Sequence, residues 1–172
     1  MKKSWLLAAV MMLAASFARA YDTTPLQIGI WPPALQVVTP EINVSGLKLN
    51  LPFGGNDSIT GIDLGLASSS NDCSAIQINA FVNSVNNDFA GIQVGCFNLC
   101  GNAGGLQVGL FNSTDKVTSG LQVGLLNTTM EMNGVQVGLV NYTQFLTGFQ
   151  FGLINIATES IIPGMIILNF CF

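Results

Sequence analysis

The sequence contains no histidine, few charged residues and no long hydrophobic run. Histidine is the commonest general base and metal ligand, so its absence weighs against an enzyme and against a metal site. Charged residues make up 8% of the chain and hydrophobic residues 49%, whereas about a quarter of a typical domain is charged. After the first twenty residues, no segment reaches the run of ~18 apolar residues that a membrane-spanning helix needs. These shortages leave membrane strands or an unusually apolar repeat structure.

The first twenty residues have the features of a secretory signal peptide. Lys2 and Lys3 precede a short apolar segment, and Ala18, Arg19 and Ala20 form an A-x-A cleavage site. We therefore expect residues 1–20 to be removed and residues 21–172 to be exported as a single all-β repeat domain. The mature chain then has two lysines against nine acids, a net charge of −7. This balance excludes the basic surface that nucleic-acid binding requires.

One motif is repeated along the mature chain. Five clean copies, such as GLQVGLFN and GVQVGLVN, begin 14 or 15 residues apart at Gly91, Gly105, Gly120, Gly134 and Gly148. Degenerate copies begin at Gly46, Gly61, Ala75 and Gly164, and an early fragment, LQIGIW, begins at Leu26. Roughly ten units result, and repetition at a fixed period indicates one structural element per unit.

Apolar and polar residues alternate within each unit. In GLQVGLLN, Leu121 and Val123 alternate with Gln122, and this period of two predicts a β-strand. One face is apolar, and the other has one central glutamine per unit. These glutamines are Gln93, Gln107, Gln122, Gln136 and Gln150, with Lys48 and Asp63 at the same place in early units. We interpret the column as spacing and self-pairing on a sheet face, in preference to a ligand-binding ladder.

The order of the segments is distinctive. PLQIGIWPPALQVV is followed by VSGLKLNLPFGGNDSITGIDLGL and then by tandem GLQVGLLN units. Over nearly the whole mature chain, this order resembles a family of uncharacterised bacterial surface-repeat proteins with GLQ(V/I)GLxN units. The resemblance implies an envelope location in a bacterium with an outer membrane, and it carries no activity. Cys96 and Cys100 depart from the family pattern in the first clean unit.

Two all-β architectures fit the repeat, and the pattern favours an up-and-down antiparallel outer-membrane barrel of about ten strands, one unit per strand. Its apolar face would meet lipid, and its glutamines would face a polar lumen. The chain ends in MIILNFCF, where Phe170 and Phe172 resemble the C-terminal signature that the barrel-assembly machinery recognises. The expected partners are outer-membrane lipid and that machinery.

The alternative is a parallel β-solenoid in which each unit forms one coil. Identical units with similar loops at both ends are expected from stacking, and an asparagine at one position per unit would form a ladder. The apolar face would then close a dry core. The column Phe97, Phe111, Leu126, Val140 and Ile154 would lie on the outer surface.

The four cysteines discriminate between these architectures. In the barrel, Cys73 and Cys100 lie in loops at the same end of adjacent strands, where export permits a disulfide. In the solenoid they lie nearly two coils apart, roughly 9 Å, beyond comfortable disulfide reach. Unpaired thiols that act as small apolar residues are the other possibility.

No motif carries chemistry. The nine acids are scattered, mostly in loops, and no serine or threonine has a histidine to activate it. We therefore expect no catalytic, cofactor-binding or metal-binding residue. The predicted function is a non-catalytic outer-envelope repeat protein, a small outer-membrane barrel with a structural or surface-exposed role. The alternative is a secreted or surface solenoid that acts as an adhesin or interaction scaffold.

Overall fold

The computed structural model describes residues 22–31 and 35–172, which are folded almost entirely as β-strands. The predicted signal peptide and the predicted mature start, Tyr21, lie outside the described residues. The strands are β1 (Thr23–Trp31), β2 (Leu35–Gln36), β3 (Asn43–Val94), β4 (Phe97–Val108), β5 (Phe111–Val123), β6 (Leu126–Val137), β7 (Val140–Thr143), β8 (Phe145–Ala157) and β9 (Gly164–Cys171). The 52-residue β3 continues through several repeats.

The repeats are stacked in parallel. β3 pairs with β4, β4 with β5 and β5 with β6 in parallel, and β6 pairs in parallel with both β7 and β8. The register places each repeat on the preceding one, so that the five clean glycines Gly91, Gly105, Gly120, Gly134 and Gly148 form one column. The protein is therefore a β-solenoid with one unit per coil, and the predicted antiparallel barrel is wrong.

The first glycine of the unit explains why the stack is so regular. This residue has positive φ in every coil that has glycine there, +146° at Gly120 for example, a conformation that residues with a Cβ rarely adopt. A Cβ on Gly120 would also clash with the carbonyl oxygen of Gly105 in the coil below. The unit can thus bend at this point and still lie against its neighbour.

The polarity of the coil also differs from the expectation for a solenoid. Gln122 is fully buried, whereas Val123 is partly exposed on the outside. The side chains that face inward are mainly amides, hydroxyls and small apolar groups, and the aliphatic side chains of the motif face outward. A coil of this length encloses little space, and in residues 91–155 paired amides fill it, with every buried side-chain nitrogen and oxygen of that range bonded to a partner. The predicted dry apolar core is therefore wrong.

Antiparallel strands close both ends of the stack. β2 pairs antiparallel with β1 at the N-terminal end, and β9 pairs antiparallel with β8 at the C-terminal end. The apolar core between them is small. One cluster contains Ile59, Cys73, Ala75, Val85, Phe89, Cys100 and Ala103, and a second contains Met132, Leu146 and Ala157. Most of the remaining interior is polar, so hydrogen bonds between coils hold the stack together.

Candidate interaction surface

The predicted glutamine column is an internal ladder. Gln107 donates to Gln93 at 2.9 Å and Gln122 donates to Gln107 at 2.8 Å. Gln136 and Gln150 continue the series at 2.8 Å per step, and all of these side chains are essentially inaccessible to solvent. The glutamines thus pair with one another inside the stack, and the column has no surface on which a ligand could bind.

The asparagines of the motif form a second ladder. Each side-chain N–H group donates to the side-chain oxygen of the next asparagine along the stack at 2.8 Å. The ladder begins at Asn83 and continues with Asn98, Asn112, Asn127, Asn141 and Asn155. Their second N–H bonds a backbone carbonyl, as Asn112 does with Val123 at 2.9 Å. A Cβ on Gly109 would crowd the amide of Asn98, so the second glycine of the motif makes room for this ladder.

The two ladders run in opposite directions. Glutamine N–H groups donate toward the N-terminal end, and asparagine N–H groups donate toward the C-terminal end. At each end of the glutamine ladder, the last glutamine bonds a residue that is not a glutamine. Gln77 donates to the carboxylate of Asp63 at 3.0 Å, and Asn169 of β9 donates to Gln150 at 3.1 Å. The amide dipoles therefore oppose each other, and both ends of the glutamine ladder are satisfied.

Two charged residues replace glutamines in the early coils. The hydroxyl of Ser68 joins them, because it accepts from Lys48 Nζ at 3.0 Å and donates to Asp63. Lys48 Nζ also donates to the carbonyl oxygens of Gly54 and Ser69. Burial lowers the pKa of Lys48 to about 8, and the negative charge of Asp63 opposes this shift. The pair is enclosed, so it has no access to a substrate.

The cysteines are free thiols in the structure, as the stacked-coil alternative expects. Cys73 and Cys100 are buried in the same apolar cluster, and Cys96 and Cys171 are partly exposed. Burial raises the pKa of the Cys73 thiol far above its usual range. Burial also raises the pKa of Cys100 to about 12, although hydrogen bonds with Gln93 and Gln107 act in the opposite direction. Such thiols are poor nucleophiles, because the reactive species is the thiolate.

The terminal aromatic residues lie on the cap strand. Phe172 is 5.2 Å from Phe149 in an edge-to-face arrangement, and Phe170 is 6.5 Å from the same ring. Their predicted role as an assembly signature was tied to a barrel, and the cap gives them a different structural role. They extend the outer apolar surface over the end of the stack.

The outside of the solenoid carries a continuous apolar wall, formed by the residues on either side of the central glutamine position. Side chains such as Ile76 and Ile78 are 42% and 47% exposed. All sixteen positions are aliphatic or aromatic: Leu47, Leu49, Ile62, Leu64, Ile76, Ile78, Ile92, Val94, Leu106, Val108, Leu121, Val123, Val135, Val137, Phe149 and Phe151. The wall follows the full stack without a charged residue.

The apolar surface continues around a bend. After each wall strand of the clean units, the chain turns through two residues. The second of these residues lies at the bend, and in successive coils it forms a ridge of Cys96, Leu110, Leu125, Leu139 and Leu153. Beyond the ridge lies the second face, with the column Phe97, Phe111, Leu126, Val140 and Ile154, as the solenoid alternative expected. The rings of Phe97 and Phe111 stack at 5.1 Å. Wall, ridge and second face together form one convex apolar surface.

Charged residues occupy the rest of the perimeter, here called the polar side. Side-chain bonds between coils join Asn71 to Asp57, Asn86 to Asn71 and Asn102 to Asp88 at 2.6–2.8 Å. A cleft of about 480 Å³ on this side is lined by residues that include Glu41, Asp57 and Asn86. Each coil therefore has an apolar outer surface on one side and a polar outer surface on the other.

The described residues show no grouping of side chains that suits a metal ion. Among the same residues, no helix is long and apolar enough to cross a membrane. Comparisons of the chain with family models, curated proteins and solved structures find no match. Sequence reasoning placed the apolar face of the unit outward in the barrel and inward in the solenoid, and neither prediction combined stacked coils with an apolar outside. The alternation in each unit predicts two faces of different polarity, but it does not show which of them faces inward.

Proposed function

We propose that the protein is a non-catalytic interaction scaffold of the outer bacterial envelope, a surface β-solenoid with an adhesin-like role. The observation that carries this proposal is the apolar surface, which runs from Leu47 to Phe151 on the outside of a capped stack. Ordinary monomers rarely expose an apolar patch larger than roughly 300–600 Å² unless it binds something. Stacked repeats are well suited to presenting such an extended binding surface.

Export is the second element of the proposal. It rests on the signal-peptide pattern in residues 1–20 and on the resemblance to bacterial surface-repeat proteins. The absence of histidine and the enclosure of Lys48 and Asp63 support a role without catalysis. Two of the exposed acids, Asp57 and Asp88, accept hydrogen bonds from asparagine side chains of the next coil.

Whole-cell labelling of the full-length chain tests the proposal. The variant Asp115→Cys, with Cys96→Ala and Cys171→Ala as background, places a thiol at an exposed position of the polar side. In cells that export the protein, we expect a mature N-terminus at Tyr21 and reaction of this thiol with a membrane-impermeant maleimide. A variant without residues 2–20 is the control and should remain unlabelled inside the cell. Unprocessed protein, or a thiol that reacts only after lysis, would contradict a surface location.

A further inference from the structure

We infer that the convex apolar surface docks into the hydrocarbon region of one leaflet of a lipid bilayer, with the polar side in water. This inference rests on the proposed surface function and names the partner of the same surface. The axis of the solenoid would lie parallel to the membrane, and the ridge would point into it.

The shape of the surface decides between lipid and a second copy of the chain. Eight units from Gly46 to Gly148 are separated by seven steps of about 4.8 Å, so the stack is roughly 34 Å long. A five-residue face is roughly 16 Å wide, so a flat partner would cover a footprint of about 540 Å² on one face. A flat copy covers one face and leaves the face beyond the ridge exposed. A fluid bilayer covers both.

Contact with hydrocarbon requires that backbone N–H and C=O groups be paired within the protein. Along the sides of the stack, these groups bond the neighbouring coils. This holds even at the ridge, where the amide of Leu125 donates to Leu110 and that of Leu139 donates to Leu125 at 2.9–3.0 Å. In the described residues, open strand edges are confined to the two ends, where β2 and β9 lie.

Charge placement fits the same orientation. Ionisable groups on wall, ridge and second face are limited to the thiol of Cys96 and the phenol of Tyr142, whereas Asp57, Asp88 and Asp115 lie on the polar side. Docking would therefore bury no carboxylate. Lys116 is the one exposed lysine of the described residues, so attraction to anionic lipid contributes little. The face width of roughly 16 Å matches half of the ~30 Å hydrocarbon core, which limits insertion to one leaflet.

Vesicle binding by the purified mature protein tests the inference. We expect residues 21–172 to float with phosphatidylcholine vesicles, equally well with added phosphatidylglycerol and at high salt. The double variant Leu125→Asp and Leu139→Asp should bind at least tenfold more weakly, because two charges would enter hydrocarbon. Thr147→Asp, on an exposed polar position, is the matched control and should bind normally. Both Leu125 and Leu139 are about half exposed, so circular dichroism should show all variants folded.

Depth-dependent quenching adds a second readout. With Cys96→Ala and Cys171→Ala as background, a fluorophore at Leu125→Cys should be quenched by brominated acyl chains, and one at Asp115→Cys should not. The inference would be overturned if binding required anionic lipid or if both sites were quenched equally. It would also be overturned if the protein stayed monomeric and did not bind vesicles. So would an unbound dimer that Leu125→Asp dissociates, because a second copy would then cover the surface. If the protein does not bind vesicles but is labelled on whole cells, the proposed surface function stands and the lipid partner does not.

Discussion

The two halves of the stack use the same coil but solve the problem of a polar interior differently. In residues 91–155 every coil repeats its neighbour, and the structure leaves no buried side-chain nitrogen or oxygen of that range without a partner. In residues 46–90 the ladder changes type at each step. There Asn50 Oδ1, Asn56 Oδ1, Ser70 Oγ and Asn79 Oδ1 are buried without a partner. Identical neighbours satisfy one another automatically, and each departure from the repeat needs its own compensation.

The largest test of this difference is the first glycine column. Gly120→Ala should lower the free energy of unfolding by at least about 3 kcal/mol, because it adds strain at φ +146° and a backbone clash. In the early half the same column already holds Ala75, which has no positive φ. Ala75→Gly should therefore cost only about 0.5–1 kcal/mol. Urea unfolding measures both, and similar costs would contradict the close contact between clean coils.

The next test concerns the charged step of the early half. Because the pKa of Lys48 is about 8 when folded and 10.5 when unfolded, the unfolded chain holds one more proton between these values. Unfolding free energy should therefore rise with pH across this window, by about 3 kcal/mol in total, relative to a Lys48→Met variant. Below pH 8 the difference should be flat. Raised thiol pKa values act oppositely above pH 9, and the pKa of Cys73 also depends on the charge of Lys48, so the comparison is clearest between pH 8 and 9.

A mid-ladder substitution compares the halves at the glutamine column. Gln122→Met removes the acceptor of Gln136 and a donor to Gln107, and should cost about 2–3 kcal/mol. Gln77→Met also removes the acceptor of Gln93, but it should cost less, because Asp63 retains bonds from Asn50 and Ser68. Urea unfolding of the two variants and of Val123→Ile, an outward neighbour, gives the comparison. Equal losses for Gln77 and Gln122 would mean that the carboxylate does not replace the ladder.

Sequence reasoning reached the period, the strands and the glutamine pairing, because these follow from local alternation. It did not determine strand direction. A barrel with one unit per strand and a solenoid with one unit per coil divide the residues of the unit between two faces in the same way. The barrel prediction placed the glutamines inward, where the structure has them, whereas the solenoid alternative placed the apolar face inward. An isolated Gln122 is costly to bury, and only the stacked amides of Gln107 and Gln136 make the interior its better environment. The Lys48–Ser68–Asp63 connection depends on contacts that no spacing rule reveals.

A small effect is expected at the C-terminal end of the regular half. Asn169 of the cap strand donates to Gln150 at 3.1 Å, and its own Oδ1 has no partner. Asn169→Ala should therefore lower the free energy of unfolding by only about 1 kcal/mol, since one acceptor loses one donor and an unsatisfied oxygen is removed. Hydrogen exchange locates the change, because the amides of β9 should exchange faster while those near Gln122 stay protected. Ile166→Ala, exposed on the same strand, is the control and should leave exchange unchanged. Loss of protection throughout residues 91–155 would instead show that the cap stabilises the whole stack.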